Sequence, residues 1–523
     1  MQREAMIARV SNEGFEIIVI GGGATGLGIA VDAASRGYRT LLLEAHDFAQ
    51  GTSSRSTKLV HGGVRYLEQL NFSLVSEALR ERGLLYRNAP HLVHNLGFVV
   101  PRYRWWEGPF YGIGLKLYDA LAGDLNLATS RGLDRDETVE AIPNVEQEDL
   151  VGGTMYHDAQ FDDARMALHL AMTAADHGAV VLNHMEVVEL LKAGDDGATC
   201  GVVARDAETG ALHRVLAKVV INATGIFSDN VRWLDAPDAT RMTSPSQGIH
   251  LVLDSSFLPG NNAIMVPHTD DGRVLFVIPW HGRMLVGTTD TPMAEAELEP
   301  RALPDEIDFV LRNASRYLTK DPGPEDVLSV FAGQRPLVKA EGTATKKISR
   351  EHEVFVSNSG LVTVLGGKWT TYRKMAEDAM VDAIAVGGLP SRPCVTEELK
   401  LHGWIDRDDD GQPELEALRA YGSDQTQIEA IVAKEPGLAD PLFEGLPYHG
   451  GHVVFAAREE MARTVEDVLS RRTRLLLLDA RGAMRAAPRT AALLARELDR
   501  DTAWADAEVE RFEALARGYL IDA

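Results

Sequence analysis

Cysteine is nearly absent from this 523-residue chain: only Cys200 and Cys394 occur, far apart. Two distant thiols encode neither a disulfide framework nor a cysteine metal site, and they suit a reducing cytoplasm. Long apolar runs are missing as well. No segment reaches the roughly 20 apolar residues that cross a bilayer, and the opening MQREAMIARVSNEG mixes charges where a secretory signal would be apolar. Neither a secretion signal nor a membrane span is therefore expected. The chain lacks internal repeats, low-complexity tracts and histidines clustered at ligand spacing, so no metal is expected. It also lacks basic excess: 53 Lys and Arg against 77 Asp and Glu give a net charge of -24. That balance opposes nonspecific nucleic-acid binding but leaves room for a local cationic pocket. What remains is ordinary globular composition, 45% hydrophobic and 25% charged, in a chain long enough for two or three domains.

The most informative stretch is FEIIVIGGGATGLGIAVDAASRGYRTLLLEA. Phe15 to Ile20 is short and almost continuously apolar, as a strand covered on both faces should be. Gly21, Gly23 and Gly26 then supply the GxGxxG spacing. The first permits a sharp turn, the second a close backbone approach to a pyrophosphate, and the third tight packing of helix on sheet. Ala24 and Thr25 open the helix, whose free amides and dipole favour phosphate. Glu44 closes TLLLE, where its carboxylate can accept from ribose hydroxyls and disfavours a phosphorylated ribose.

Further along, GTSSRSTKLVHGGVRYLE (51–68) has the glycines and hydroxyls of a loop lying against a ligand. From Leu92 to Pro143 the chain turns aromatic and irregular around PRYRWWEGPFYGIGLKLYDALAG, which reads as an insertion. An amphipathic helix and strand, FDDARMALHLAMTAADHGAVVLN, resume the first domain, and KVVINATG is a second buried strand running into a small-residue turn. Between Pro245 and Val338 antiparallel strands prevail, with a hairpin at His281 and Gly282. LGGKWTT then opens another helix. Helical periodicity dominates beyond about Pro393. The expected organisation is a dinucleotide domain in three pieces (1–90, 151–240, 341–390), an inserted cap (91–150), a substrate domain (241–340) and a C-terminal helical domain (391–523).

GGGATG, NATG and LGGKWTT each follow a buried strand yet are scattered over most of the chain. A nicotinamide domain is usually contiguous, whereas an interrupted sheet with a late glycine turn suits the extended body of FAD. The cofactor contacts expected are Gly21, Gly23, Ala24, Thr25, Gly26 and Glu44 from the first unit. Thr52, Ser53, Ser54, Lys58, His61 and Gly62 come from the glycine-rich loop, Val187, Ala223, Thr224 and Gly225 from the middle, and Gly366, Gly367, Lys368 and Thr370 from the last turn.

TSSRSTKLVHGGVRYLE, VIPWHGRMLVGTTD, FAGQRPLV and LGGKWTTYRKMAE together resemble the FAD-dependent glycerol-3-phosphate dehydrogenases, within the glycine/D-amino-acid-oxidase group of flavoproteins. The likeness runs over nearly the whole chain and includes TVEDVLSRRTRLLLLDA in the helical C-terminal region. KLVHGGVRYLE is far more specific than GxGxxG. The resemblance implies an α/β fold with a Rossmann-like split FAD-binding domain, an antiparallel β-sheet substrate domain and a C-terminal α-helical domain. It also implies oxidation of sn-glycerol 3-phosphate to dihydroxyacetone phosphate, with electrons leaving for a membrane quinone, or for oxygen in the oxidase branch, and it suggests a homodimer. By that resemblance Arg65 and Arg335 hold the phosphate, Tyr66 adds a hydroxyl, and Thr288, Thr289 and Asp290 lie near the substrate. Where many relatives carry a lysine, this chain has Gln247, so one cationic contact is missing or supplied elsewhere.

The residues themselves point the same way. A phosphomonoester carries close to two negative charges and calls for cations such as Arg65, Arg335 and Lys368, all set in glycine-bearing segments. Alcohol oxidation needs a proton acceptor, and His61 is the candidate base; a histidine that merely bonds the flavin or orients substrate is the competing reading. His250 is a weaker rival, read as a hydrogen-bonded strand residue. Lys368 can stabilise negative charge on the reduced cofactor. An amino-acid oxidase of the same fold, or a flavin-binding sensor without turnover, stays open. Arg471, Arg472, Arg474, Arg481, Arg485, Arg489 and Arg496 form either a lipid-facing basic surface or solvated faces and internal ion pairs, with the second favoured. Trp105, Trp106, Phe110 and Tyr111 read more readily as buried core than as an interface anchor. Location is expected to be cytoplasmic, with peripheral contact on the inner face of the cell membrane as an open question.

Overall fold

A computed structural model describes residues 1–64, 71–194, 197–338, 352–406 and 416–521. Arg65 and Tyr66 lie outside the described residues. The apolar run near the N-terminus forms the strand Ile17–Ile20, fully buried, as expected for a strand covered on both faces. It sits inside a six-stranded sheet in the spatial order His352–Val356, Val362–Gly366, Val219–Asn222, Ile17–Ile20, Thr40–Leu43, Val180–Leu182. Every neighbouring pair is parallel except the first, which is antiparallel. The three glycine turns follow strands that are adjacent in this sheet, although hundreds of residues separate them along the chain. Their C-terminal ends therefore open onto one crevice, where ligands of such sheets bind.

A second sheet has ten strands. Its centre is Thr243–Asp254 paired antiparallel with both Arg283–Gly287 and Val327–Val338. The hairpin turn at His281 and Gly282 is formed, with both residues at positive φ. Two strands from before and after the aromatic segment, Val93–Arg102 and Gly152–Phe161, join the same sheet, the first running parallel to Ala263–Val266. The aromatic segment itself forms the helix Glu107–Ala122. Contrary to the buried-core reading, Trp105 is 81% exposed, and Trp106, Phe110, Ile113 and Leu117 are exposed with it.

The C-terminal region contains the helices Gln425–Lys434, Gly450–Glu459, Ala480–Glu497 and Thr502–Arg517. Its arginine run splits in two. Arg471, Arg472 and Arg474 are buried and paired with Asp47, Asp467 and Asp163, whereas Arg489 and Arg496 make surface pairs with Asp440 and Glu435. Asp47, His184 and Asp467 approach one another closely enough to suggest a metal site. The guanidiniums of Arg471 and Arg472 fill that cluster, which makes it an ion-pair network.

His402 ties the start of the C-terminal region to the first domain. Its Nδ1 lies 2.6 Å from Asp176 and its Nε2 3.0 Å from Asp424. Burial works against its charged form, but the two carboxylates outweigh it and raise the pKa from 6.5 to about 9. A raised folded-state pKa contributes stability that is complete below pH 6.5 and is lost as pH climbs through about 9. The gap in Tm between wild type and His402→Gln should accordingly be wide at pH 6 and narrow at pH 9.5; a gap independent of pH would show that the imidazole stays neutral.

Candidate active site

One cavity of about 1590 Å³ runs from the first glycine turn to the second sheet. At one end it is lined by Gly21, Gly23, Ala24, Thr25 and Glu44, with Val187 beside them. Its middle is formed by Thr52, Ser53, Ala223, Thr224 and Gly225. At the far end stand His61, Gly366, Gly367, Lys368 and Thr370, facing Ser246, His250, Thr288, Thr289, Asp290 and Arg335. The volume exceeds the 300–1,000 Å³ common for small-ligand pockets, as a site for a dinucleotide plus a substrate should.

The glycines at its narrow end are structurally required. A Cβ on Gly21, whose φ is +109°, would lie 2.6 Å from the carbonyl oxygen of Ala223, and one on Gly26 would lie 1.9 Å from that of Gly21. Gly26 does not touch the cavity; it lets the helix Ala24–Ser35 sit hard against the turn. Ser53 Oγ accepts from the amide of Ala24, bracing the helix start from the glycine-rich loop. Glu44 accepts from the amides of Gly22 at 2.6 Å and His46 at 2.8 Å, so its carboxylate is fixed at the strand end. A helix N-terminus and a fixed acid together fit the pyrophosphate and ribose of FAD.

Not every expected contact reaches the cavity. Lys58 is wholly buried and turns away from it, donating to Asp163 and to the carbonyl of Ser54, both at 2.7 Å. Burial pushes its pKa down to about 7, and the positive charge of Arg474 adds to the depression against the pull of Asp163. The Ser54 side chain is buried outside the lining, and its carbonyl also receives Arg474. Gly62 packs on Leu79 and Tyr118, donating its amide to the Tyr118 hydroxyl. These three positions shape the loop rather than line the cavity. Gln247 also faces away, bonded to Glu306 and the carbonyl of Arg301.

The substrate end is set by charge. Arg335 Nη1 lies 3.3 Å from Asp290, and its Nη2 donates to the Thr289 carbonyl at 3.1 Å. Thr289 itself is buried, its hydroxyl shared between the amide of Ile249 and Glu306, so it braces the strand end. His250 Nε2 is 2.9 Å from the hydroxyl of Thr57, and its ring stacks on Phe331. Burial, then the charges of Lys58 and Arg335, hold His250 far below the ordinary histidine pKa, so it is neutral. Sequence reasoning missed Arg273, Ser246 and Thr57 in the lining. Arg273 lies at the end of an ordinary-looking Asp-Asp-Gly turn, and nothing local distinguishes it from a surface arginine.

A split parallel sheet, glycine turns converging on one crevice and an antiparallel sheet closing over it define an FAD-dependent oxidoreductase. Residues 16–373 match the FAD-dependent oxidoreductase family, and residues 394–505 match the C-terminal domain of alpha-glycerophosphate oxidase. Mitochondrial glycerol-3-phosphate dehydrogenase of Bos taurus is 41% identical across 99% of this chain and 75% of its own length. The Schizosaccharomyces pombe counterpart is 37% identical across 99% and 89%. The FAD complex of glycerol-3-phosphate dehydrogenase from Bacillus halodurans superposes with a TM-score of 0.81 at 30% identity, covering 99% of this chain and 98% of that one. The chain belongs to the FAD-dependent glycerol-3-phosphate dehydrogenase family.

Replacing Gly26 with Ala should separate the helix from the turn and cut flavin retention more than tenfold, a loss of about 1.4 kcal/mol or more. The check is the 450 to 280 nm absorbance ratio of the purified variant, with circular dichroism confirming that it is folded; full flavin content would show that the close contact is dispensable.

Proposed function

We propose that this protein oxidises sn-glycerol 3-phosphate to dihydroxyacetone phosphate and passes the electrons to a membrane quinone. The observation that carries this reading is the single cavity in which the glycine turns for FAD open directly onto Arg335, Lys368 and His61. Bound FAD supplies the hydride acceptor. The cations hold the phosphate and so place the secondary alcohol, converting a chance encounter into a fixed geometry. Arg65 and Tyr66 belong to the same proposal by family resemblance.

His61 takes the hydroxyl proton. A general base works best with a pKa near the operating pH, and His250, held neutral far below that range, is the poorer acceptor. His250 instead orients through Thr57. Lys368, at the mouth of the last glycine turn, offsets negative charge that develops at the cofactor end, aided by the turn that opens the helix Tyr372–Val386.

The exposed apolar face around Trp105, Phe110, Ile113 and Leu117 supports the acceptor assignment. Such a patch is unusual on a soluble monomer and has the character of an interfacial helix. Among the described residues no helix is long and apolar enough to cross a membrane. Contact is therefore peripheral.

In anaerobic stopped-flow, glycerol 3-phosphate should bleach the wild-type flavin, and His61→Asn should slow bleaching about 10²- to 10⁴-fold while retaining FAD. A normal rate in that variant would move the base elsewhere, and a flavin left oxidised in wild type would overturn the substrate assignment. Replacing Trp105, Phe110 and Ile113 together by Asp should abolish cosedimentation with anionic vesicles and lower quinone reduction, with dye reduction kept. Equal quinone reduction by both proteins would remove the helix from the pathway.

A further inference from the structure

Among the described residues, four cations line the cavity: Arg55, Arg273, Arg335 and Lys368. Arg55 is committed elsewhere, to the carbonyl of Leu298, to Glu299 and to the hydroxyl of Tyr519. Arg273 is different. Its Nε pairs with Asp271 at 3.0 Å, but its Nη1 is buried with no hydrogen-bond partner and lies 4.0 Å from Asp290, too far to bond. The opposite face of Asp290 is taken by Arg335 Nη1 at 3.3 Å and by the Ser246 hydroxyl. One carboxylate thus sits between two guanidiniums, hydrogen-bonded to one and only at ion-pair distance from the other.

The turn that carries Arg273 is anchored. Thr269 donates to the Arg273 carbonyl at 2.7 Å, and Asp270 is paired with Arg312 and Arg316 on the helix Pro304–Ser315. The anchored turn sets Arg273 in the cavity wall, its side chain 32% exposed, and the shielded Nη1 without an acceptor is the position that a ligand would complete.

We propose that Arg273 is a phosphate-holding residue of the substrate site and that Asp290 is the internal anion that phosphate displaces from between Arg273 and Arg335. The inference rests on the proposed phosphomonoester substrate. A phosphate carries about -1.5 to -2 charge and three strong acceptors, so it outbids a single carboxylate for two planar guanidiniums. A carboxylate ligand gains no such advantage over a tethered Asp290. The pair Arg273 and Asp290 thereby selects phosphate over carboxylate, and Arg273 supplies the cation that Gln247 does not.

The experiment uses the FAD-loaded protein and inorganic phosphate, with binding read from the flavin spectrum in the absence of turnover and, separately, from competition with glycerol 3-phosphate. Arg273→Gln should raise the phosphate Kd and the KM for glycerol 3-phosphate together, by about tenfold to a few hundredfold, with Arg273→Lys recovering part of the loss. Asp290→Asn should change binding in the opposite direction, tightening phosphate several-fold and letting malonate compete. Phosphate and substrate affinities within twofold of wild type in both Arg273 variants, or weaker phosphate binding in Asp290→Asn, would overturn the inference. Failure of wild type to oxidise glycerol 3-phosphate while phosphate binding still responds to Arg273 would count against the substrate assignment and leave the anion site standing.

Discussion

The carboxylate of Asp163 is the constraint on which the rest of the site depends. It stands at the start of the helix Asp163–Asp176, fully buried, where desolvating a charge is tolerated only if every lone pair is met. One oxygen receives Lys58 Nζ and both the amide and hydroxyl of Ser56; the other receives Arg474 from the C-terminal region. Lys58 and Arg474 meet again on the carbonyl of Ser54. The loop between Gly51 and Lys58 is therefore held from behind by charges contributed from two distant stretches of chain, around Asp163 and Arg474. On its front face the same loop presents Thr52, Ser53 and Thr57 to the cavity. The ion-pair cluster sets where the lining sits, and the C-terminal helices contribute to the active site without touching it.

This arrangement explains which parts were legible in the sequence. GGGATG, the strand before it and Glu44 were readable because their function is local: each glycine answers a clash within a few residues or across one neighbouring strand. The fold class followed from three such turns in one chain. Lys58 was misread as a cofactor contact because its neighbours are hydroxyls and glycines, the company of a ligand loop. Its true partner, Asp163, is 105 residues away, a pairing that no local pattern announces. For Arg471, Arg472 and Arg474 the favoured reading, internal ion pairs, holds, but their partners Asp47 and Asp163 lie more than 300 residues upstream and could not be named from the run itself. Arg273 was missed because a side chain becomes part of a site only when the sheet folds its turn over the cavity. The aromatic segment failed in the opposite direction: its composition is that of a core, and only the folded chain shows which face lacks a partner.

Charge then divides the cavity by task. The protein as a whole is strongly acidic, so a wall bearing Arg273, Arg335 and Lys368 is a local inversion of its field. In the proposed reading the glycine turn and its fixed acid receive the dinucleotide at one end, and the cationic wall receives a small dianion at the other, where His61 also stands. In that reading His250, kept neutral by burial, leaves proton transfer to the more accessible imidazole. The doubled guanidinium with a resident carboxylate between is the feature of this cavity on which the proposed preference for phosphate rests.

The most direct measurement is the ratio of kcat/KM for glycerol 3-phosphate to that for glycerol, taken on the same preparation with the same dye acceptor. Losing a doubly charged group from two half-buried guanidiniums predicts a ratio of at least about 10² in favour of the phosphate ester. A ratio near one, or comparable turnover of an amino acid, would contradict the account.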